Sequence, residues 1–140
     1  MTELEQIIIA HEGEKSFVYP DSLGYWTIGI GRLVDKRKGG GLSQDEMIYL
    51  LQNDIAKARN ELLPYSWFNN LDTVRQEVLI ELCFNIGLGG ILEFKNTLAL
   101  IEAKEYEKAS QNLLESLWAK QVGPIRSQNM AKRLATGSYD

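Results

Sequence analysis

One stretch, residues 17–34, sets the tightest limit on how this chain can fold. Phe17-Val18-Tyr19 and Tyr25-Trp26-Thr27-Ile28 are aromatic and β-branched, and Pro20-Asp21-Ser22-Leu23-Gly24 supplies turn chemistry between them. Side chains of these types suit a pleated strand, so the pattern predicts a small antiparallel sheet. Gly29 and Gly31 alternate with Ile28 and Ile30, which leaves one face bare for the approach of another backbone or a ligand. Lys36 to Gly41 reads as a loop, loosest at its three successive glycines.

The rest of the chain carries helical spacing. Thr2-Glu3-Leu4-Glu5 is a capping box, and Leu4, Ile7, Ile8 and His11 follow on one face, so a first helix should run to Glu12 and stop at Gly13. Ser43-Gln44-Asp45-Glu46 is a second capping box, leading a stripe of Met47, Leu50, Leu51, Ile55 and Ala58. Pro64 closes that region, and a further helix from about Asp72 is broken by Asn85-Ile86-Gly87-Leu88-Gly89-Gly90. Shorter helices are predicted over Phe94–Glu102, Tyr106–Leu117 and Gln128–Leu134. The fold class is therefore α+β, mainly α. A sheet-bearing N-terminal lobe (about 13–42), a connecting helix (about 43–62) and a helical C-terminal lobe (about 63–140) are expected, with helix 1–12 packed on the C-terminal lobe. Two lobes joined in this way leave a cleft, and clefts host substrate sites.

A chain of 140 residues is long enough to bury a working core. The single Cys83 forms no internal disulfide and lies in an apolar run, where a thiol packs as a small hydrophobe. Ile7-Ile8-Ile9-Ala10 is too short for a membrane span, so no stable membrane anchor is expected. The net charge of −4 argues against a nucleic-acid partner. Residues 116–140 nevertheless hold Lys120, Arg126, Lys132 and Arg133 against Asp140 alone, a net +3 that suits either a solvated face or an anionic surface. His11 has no nucleophile or second histidine at motif spacing, and no metal or nucleotide motif is present, so no cofactor is expected.

Glycoside hydrolysis asks for a carboxylic acid to protonate the leaving oxygen and a second carboxylate to guide water or attack. Glu12 ends the first helix beside apolar neighbours, where burial would keep it protonated; Asp21 lies in a polar turn, where it stays ionised. Thr27 offers a hydroxyl for a water. A protonated Glu12 would make stability greatest at low pH and falling as pH rises through its folded pKa. A Glu and an Asp nine residues apart are common, so these features alone do not decide the chemistry.

The full pattern does more. Glu12-Gly13, Tyr19-Pro20-Asp21 and Gly24-Tyr25-Trp26-Thr27-Ile28-Gly29-Ile30-Gly31 closely resemble the active-site signature of the phage lysozymes of glycoside hydrolase family 24. Leu71-Asp72-Thr73-Val74-Arg75, Phe94-Lys95-Asn96-Thr97-Leu98, Asn112-Leu113, Trp118 and Ala131-Lys132-Arg133 continue the likeness in order through the second half. The resemblance implies a lysozyme-like two-lobe fold and a muramidase acting on bacterial peptidoglycan. It implies Glu12 as general acid, with Asp21 and Thr27 positioning water for inversion. Leu33, Phe84, Asn85, Thr97 and Asn112 fall on positions similar to the family's saccharide contacts; Leu33 and Phe84 also suit core packing. A monomer is the default for a cleft enzyme of this size, and the resemblance further implies synthesis in the host bacterial cytoplasm and release to the wall through a holin lesion. A non-catalytic peptidoglycan-binding domain is the competing reading.

Several departures from the family pattern matter. Arg32 stands where a histidine is found, with Asp35 or Glu12 as its candidate partner. Asn85 replaces a glutamine, and Leu117 replaces an arginine whose contact is lost or passes to Arg126. The short 35–42 segment puts a third strand in question.

Overall fold

The computed structural model describes residues 2–20, 22–29, 32–33 and 41–140, and not the side chains of Glu12 and Phe17. The chain forms two compact units, Met1–Leu50 and Leu51–Asp140.

In the first unit, helix α1 (Glu3–Glu12) starts with the expected reciprocal cap. The Glu5 N–H donates to the Thr2 hydroxyl at 3.1 Å, and the Thr2 N–H donates to the Glu5 carboxylate at 2.6 Å. Gly13 ends the helix at φ 75°, ψ 177°, a conformation essentially confined to glycine. Strands β1 (Lys15–Pro20), β2 (Trp26–Gly29) and β3 (Arg32–Leu33) pair antiparallel in the order β1-β2-β3. Pro20 lacks an N–H, and it is tolerated at the end of β1 because that strand lies at the sheet edge. The third strand, in question from the sequence, is present with two residues. The expectations for Gly31 and for the glycine-rich loop over 36–40 lie outside the described residues.

Helix α2 (Gln44–Leu62) begins with the second capping box, the Glu46 N–H donating to the Ser43 hydroxyl at 3.2 Å and the Ser43 N–H to the Glu46 carboxylate at 3.1 Å. Of its predicted stripe only Ala58 is buried, and Met47 and Leu50 are about half exposed; Leu62, beyond the stripe, is buried as well.

The second unit is helical: α3 (Ser66–Asn69), α4 (Thr73–Leu92), α5 (Lys95–Glu102), α6 (Tyr106–Leu114), α7 (Leu117–Val122) and α8 (Pro124–Thr136). The break predicted at residues 85–90 is a kink at Gly87, whose φ of 77° interrupts α4. The single helix predicted over Tyr106–Leu117 is instead two, because the Ser116 hydroxyl accepts the Ala119 N–H and starts α7. Helix α8 begins four residues before the predicted Gln128, with Pro124 in the first turn, where its missing N–H costs nothing. Short α3 carries no periodicity of its own and escaped the sequence reading.

Leu62, Phe68, Val78, Ile91, Ile101, Leu113, Met130 and Leu134 are almost wholly removed from water and form the centre of this unit. Each such side chain contributes about 1.5–3 kcal/mol of transfer free energy. Cys83 belongs to the same core, as the sequence suggested; burial, then the neighbouring Glu61 carboxylate, raises its thiol pKa and keeps it protonated. Arg75 ties the start of α4 to the end of α8. Its guanidinium donates to the Leu134 and Ala135 carbonyls at 2.7 and 2.8 Å, pairs with the N-cap Asp72 at 2.9 Å, and lies 3.8 Å from the Tyr106 ring centroid.

Candidate active site

The first unit holds the predicted catalytic turn. Glu12 is the last residue of α1, one peptide before the Gly13 stop that redirects the chain into β1. Its side chain lies outside the described part of the structure, as does the whole of Asp21. Thr27 is placed in full. It sits in the central strand β2 opposite Tyr19 and Leu33, and only 4% of it is exposed. Its hydroxyl donates to the Tyr25 carbonyl at 3.1 Å. The hydroxyl's one proton is thereby committed to the backbone, so toward a further partner such as water it acts as an acceptor.

Gly29, at the end of β2, has φ +69°, and a Cβ there would meet nothing within 4 Å. Backbone conformation therefore calls for glycine here, and the place that a Cβ of residue 29 would take is open space. With Glu14, Lys15 and Ser16 it lines a cavity of about 380 Å³.

Arg32 pairs with Glu46 at the start of α2, a partner that the sequence did not suggest. Hydrogen bonds from the Ser43 backbone and hydroxyl, followed by the Arg32 charge, outweigh burial and hold the Glu46 carboxyl below its ordinary value. Glu46 was legible only as a capping residue, because its second role depends on β3 lying beside the first turn of α2.

The predicted saccharide residues separate by unit. Leu33, on β3, is 42% exposed, and Phe84, on α4, is 48% exposed, so neither is core packing. Asn85, Thr97 and Asn112 belong to the second unit. The Trp118 indole N–H donates to the Asn85 carboxamide oxygen at 2.8 Å. The buried Thr97 hydroxyl donates to the Asn112 carboxamide oxygen. Each amide oxygen thus accepts one bond within the protein, which orients the carboxamide, and each nitrogen carries a pair of N–H donors that a ligand can use. Asn112 and Trp118 line a groove of about 590 Å³ together with Ile86, Phe94 and Leu117. Thr97 orients Asn112 from beneath.

A single carboxylate offsets part of the charge of the basic C-terminal stretch. Glu81 receives Arg126 at 3.2 Å and Arg133 at 2.5 Å, and Arg133 is buried. Lys120 and Lys132 are the exposed cations left in the stretch. Among the described residues no helix is long and apolar enough to cross a membrane, and no group of side chains is placed to hold a metal ion.

Comparison with known proteins gives a family match. The model of the phage lysozyme family matches residues 9–136, which encloses Glu12, Asp21, Thr27 and the second-unit groove. Two Dictyostelium discoideum proteins, called probable T4-type lysozymes 1 and 2, are 28% and 29% identical. These alignments cover 100% and 99% of this chain, and 98% and 96% of the relatives. The pre-baseplate central spike protein of Enterobacteria phage T4 is 25% identical over 98% of this chain, which corresponds to 28% of the spike protein's length.

Proposed function

The chain belongs to the phage lysozyme family and is a glycoside hydrolase, and from that premise we propose how it acts. It cleaves the β-1,4 bond between N-acetylmuramic acid and N-acetylglucosamine in bacterial peptidoglycan. Glu12 protonates the leaving oxygen as general acid. Asp21 and Thr27 hold the attacking water on the opposite face of the sugar, and the anomeric configuration inverts. Such a reaction needs the two carboxyl groups roughly 6.5–9.5 Å apart, with room for that water.

The observation that carries this reading is the buried Thr27 hydroxyl, whose proton is tied to the Tyr25 carbonyl. A water bound to it donates one hydrogen there and a second to the Asp21 carboxylate, which turns its lone pair toward the anomeric carbon. Asn85 and Asn112 supply N–H donors for the acetamido carbonyls and hydroxyls of the glycan, and Leu33 and Phe84 offer apolar contact to sugar faces. The protein acts as a monomer, made in the host bacterial cytoplasm and released to the wall through a holin-type lesion.

The test compares wild type with Glu12→Gln on purified peptidoglycan, following turbidity and new reducing ends together. The wild type should clear the suspension and expose N-acetylmuramic reducing ends, and the variant should do neither. Loss of general-acid catalysis alone is worth about 10²–10⁴-fold. If neither protein releases reducing ends while both bind the wall, the chain is a lysozyme-like binding domain instead.

A further inference from the structure

The small sheet carries a cavity that the proposed chemistry does not use. Successive strand residues point to opposite faces, so Val18 and Ile28 lie on the face away from Tyr19 and Thr27. With Leu42 and with Tyr49 and Leu50 of α2 they line a cavity of about 690 Å³, every described wall of which belongs to the first unit. Pockets that hold small molecules span about 300–1,000 Å³ and are mostly apolar with a few polar groups, as here. Val18, Leu42, Tyr49 and Leu50 are 40–65% exposed, so this apolar lining is open rather than packed.

Three charged side chains join the lining: Arg32, Asp45 and Glu46. Arg32 pairs with Glu46, whose carboxylate also accepts the Ser43 N–H, so these two groups are engaged. Asp45 is exposed and has no hydrogen bond or ion pair among the described residues. It stands four residues before Tyr49 on α2, the spacing that puts two side chains on the same side of a helix. An anion would meet two carboxylates there and find the one described lining arginine taken. A cation meets an unpaired carboxylate and an aromatic face together. We propose that this cavity binds a free amphiphilic amine, with its apolar tail among Val18, Ile28, Leu42 and Leu50 and its ammonium between the Tyr49 ring and the Asp45 carboxylate. Tyr49 lies beyond the first turn of α2, where the helix dipole, which disfavours a cation at this end, has fallen away. A concave cavity of this size takes one chain from solution rather than the flat surface of a bilayer. The site stands independently of the muramidase reading.

The experiment titrates the whole chain with octyltrimethylammonium below its micelle concentration, and with 1-octanol and octanoate as matched tails, and reads affinity by calorimetry. The wild type should bind one ammonium ligand per chain, about tenfold more tightly than octanol, from the cation–π and charge contacts together. Octanoate should bind more weakly than either. Asp45→Asn, which leaves the Ser43 cap in place, should erase most of the preference for the ammonium. Tyr49→Leu keeps the wall apolar and should reduce the same preference, whereas Leu50→Gln should weaken both octyl ligands alike. An unchanged unfolding midpoint checks that each variant is folded. No saturable binding, or equal affinity for the ammonium and octanol, overturns the site. So does a preference that survives both Asp45→Asn and Tyr49→Leu in folded protein. Binding to phosphatidylethanolamine vesicles without binding of the free amphiphile overturns it as well, in favour of a membrane surface.

Discussion

The two units differ in what holds them together. In Leu51–Asp140 the buried hydrophobic side chains form one continuous core, from Ala58 on α2 to Leu134 on α8. In Met1–Leu50 the one described residue that is fully buried is Thr27, and it is polar. The difference teaches that stability and the proposed chemistry sit in different places. Helix packing supplies the free energy, whereas the catalytic turn is held by backbone pairing, glycine conformations and caps. Sites that bind and react are commonly drawn from the less stable part of a fold.

The largest effect that would break this contrast is expected at Phe68, which is 1% exposed in the core. Phe68→Ala should cost about 3–5 kcal/mol in denaturant unfolding, from lost transfer energy and the cavity left behind. A loss below about 1 kcal/mol would mean that the second unit is not the store of stability.

Next comes the latch between α4 and α8. Asp72→Ala removes an N-cap and a partner of Arg75 and should cost about 1–2 kcal/mol. Gly137→Ala probes the same latch from the other end. Gly137 has φ +67°, and a Cβ there would lie 2.8 Å from an Arg75 terminal nitrogen, so the variant should lose about 1–2 kcal/mol.

The latch also has a pH signature. Burial pushes the Asp72 carboxyl upward, but the side-chain and backbone hydrogen bonds with Arg75, followed by the Arg75 charge, outweigh it and leave the pKa lowered. A folded-state pKa below the unfolded value means that Asp72 contributes stability above the ordinary carboxylate range. That contribution fades as pH falls through the depressed folded value. Because Asp72 is largely solvent-facing, screening keeps the effect modest. Unfolding midpoints measured from pH 7 to pH 2 should fall less steeply for Asp72→Asn than for wild type; parallel curves would refute the assignment.

The smallest expected change is Thr2→Ala, which opens the exposed capping box of α1. It should lower global stability by no more than about 0.5–1 kcal/mol, while amide exchange in α1 accelerates. A loss as large as that at Phe68 would place α1 with the core and erase the contrast between the units.

Much of this architecture was legible in the sequence, and the legible parts share a cause. Both capping boxes, the Gly13 stop, the β1–β2 hairpin and the Gly87 kink depend on interactions within a few residues, so the local pattern states them directly. The division of Tyr106–Leu117 into two helices was also locally encoded, in the Ser116 cap, but the apolar periodicity running through it hid the signal. Among the site residues, Thr27 could be singled out from the family signature. The commitment of its hydroxyl to Tyr25 could not, because that follows from the backbone path of β2.

What only the tertiary structure decided are the pairings across long separations. Arg32 meets Glu46, Glu81 gathers Arg126 and Arg133, Asn85 holds Trp118, and Thr97 holds Asn112. Residue types made many such pairs chemically allowed. Charge and hydrogen-bond preferences are short-ranged and degenerate, so a sequence specifies which groups need partners, and the packed backbone specifies which partners they find.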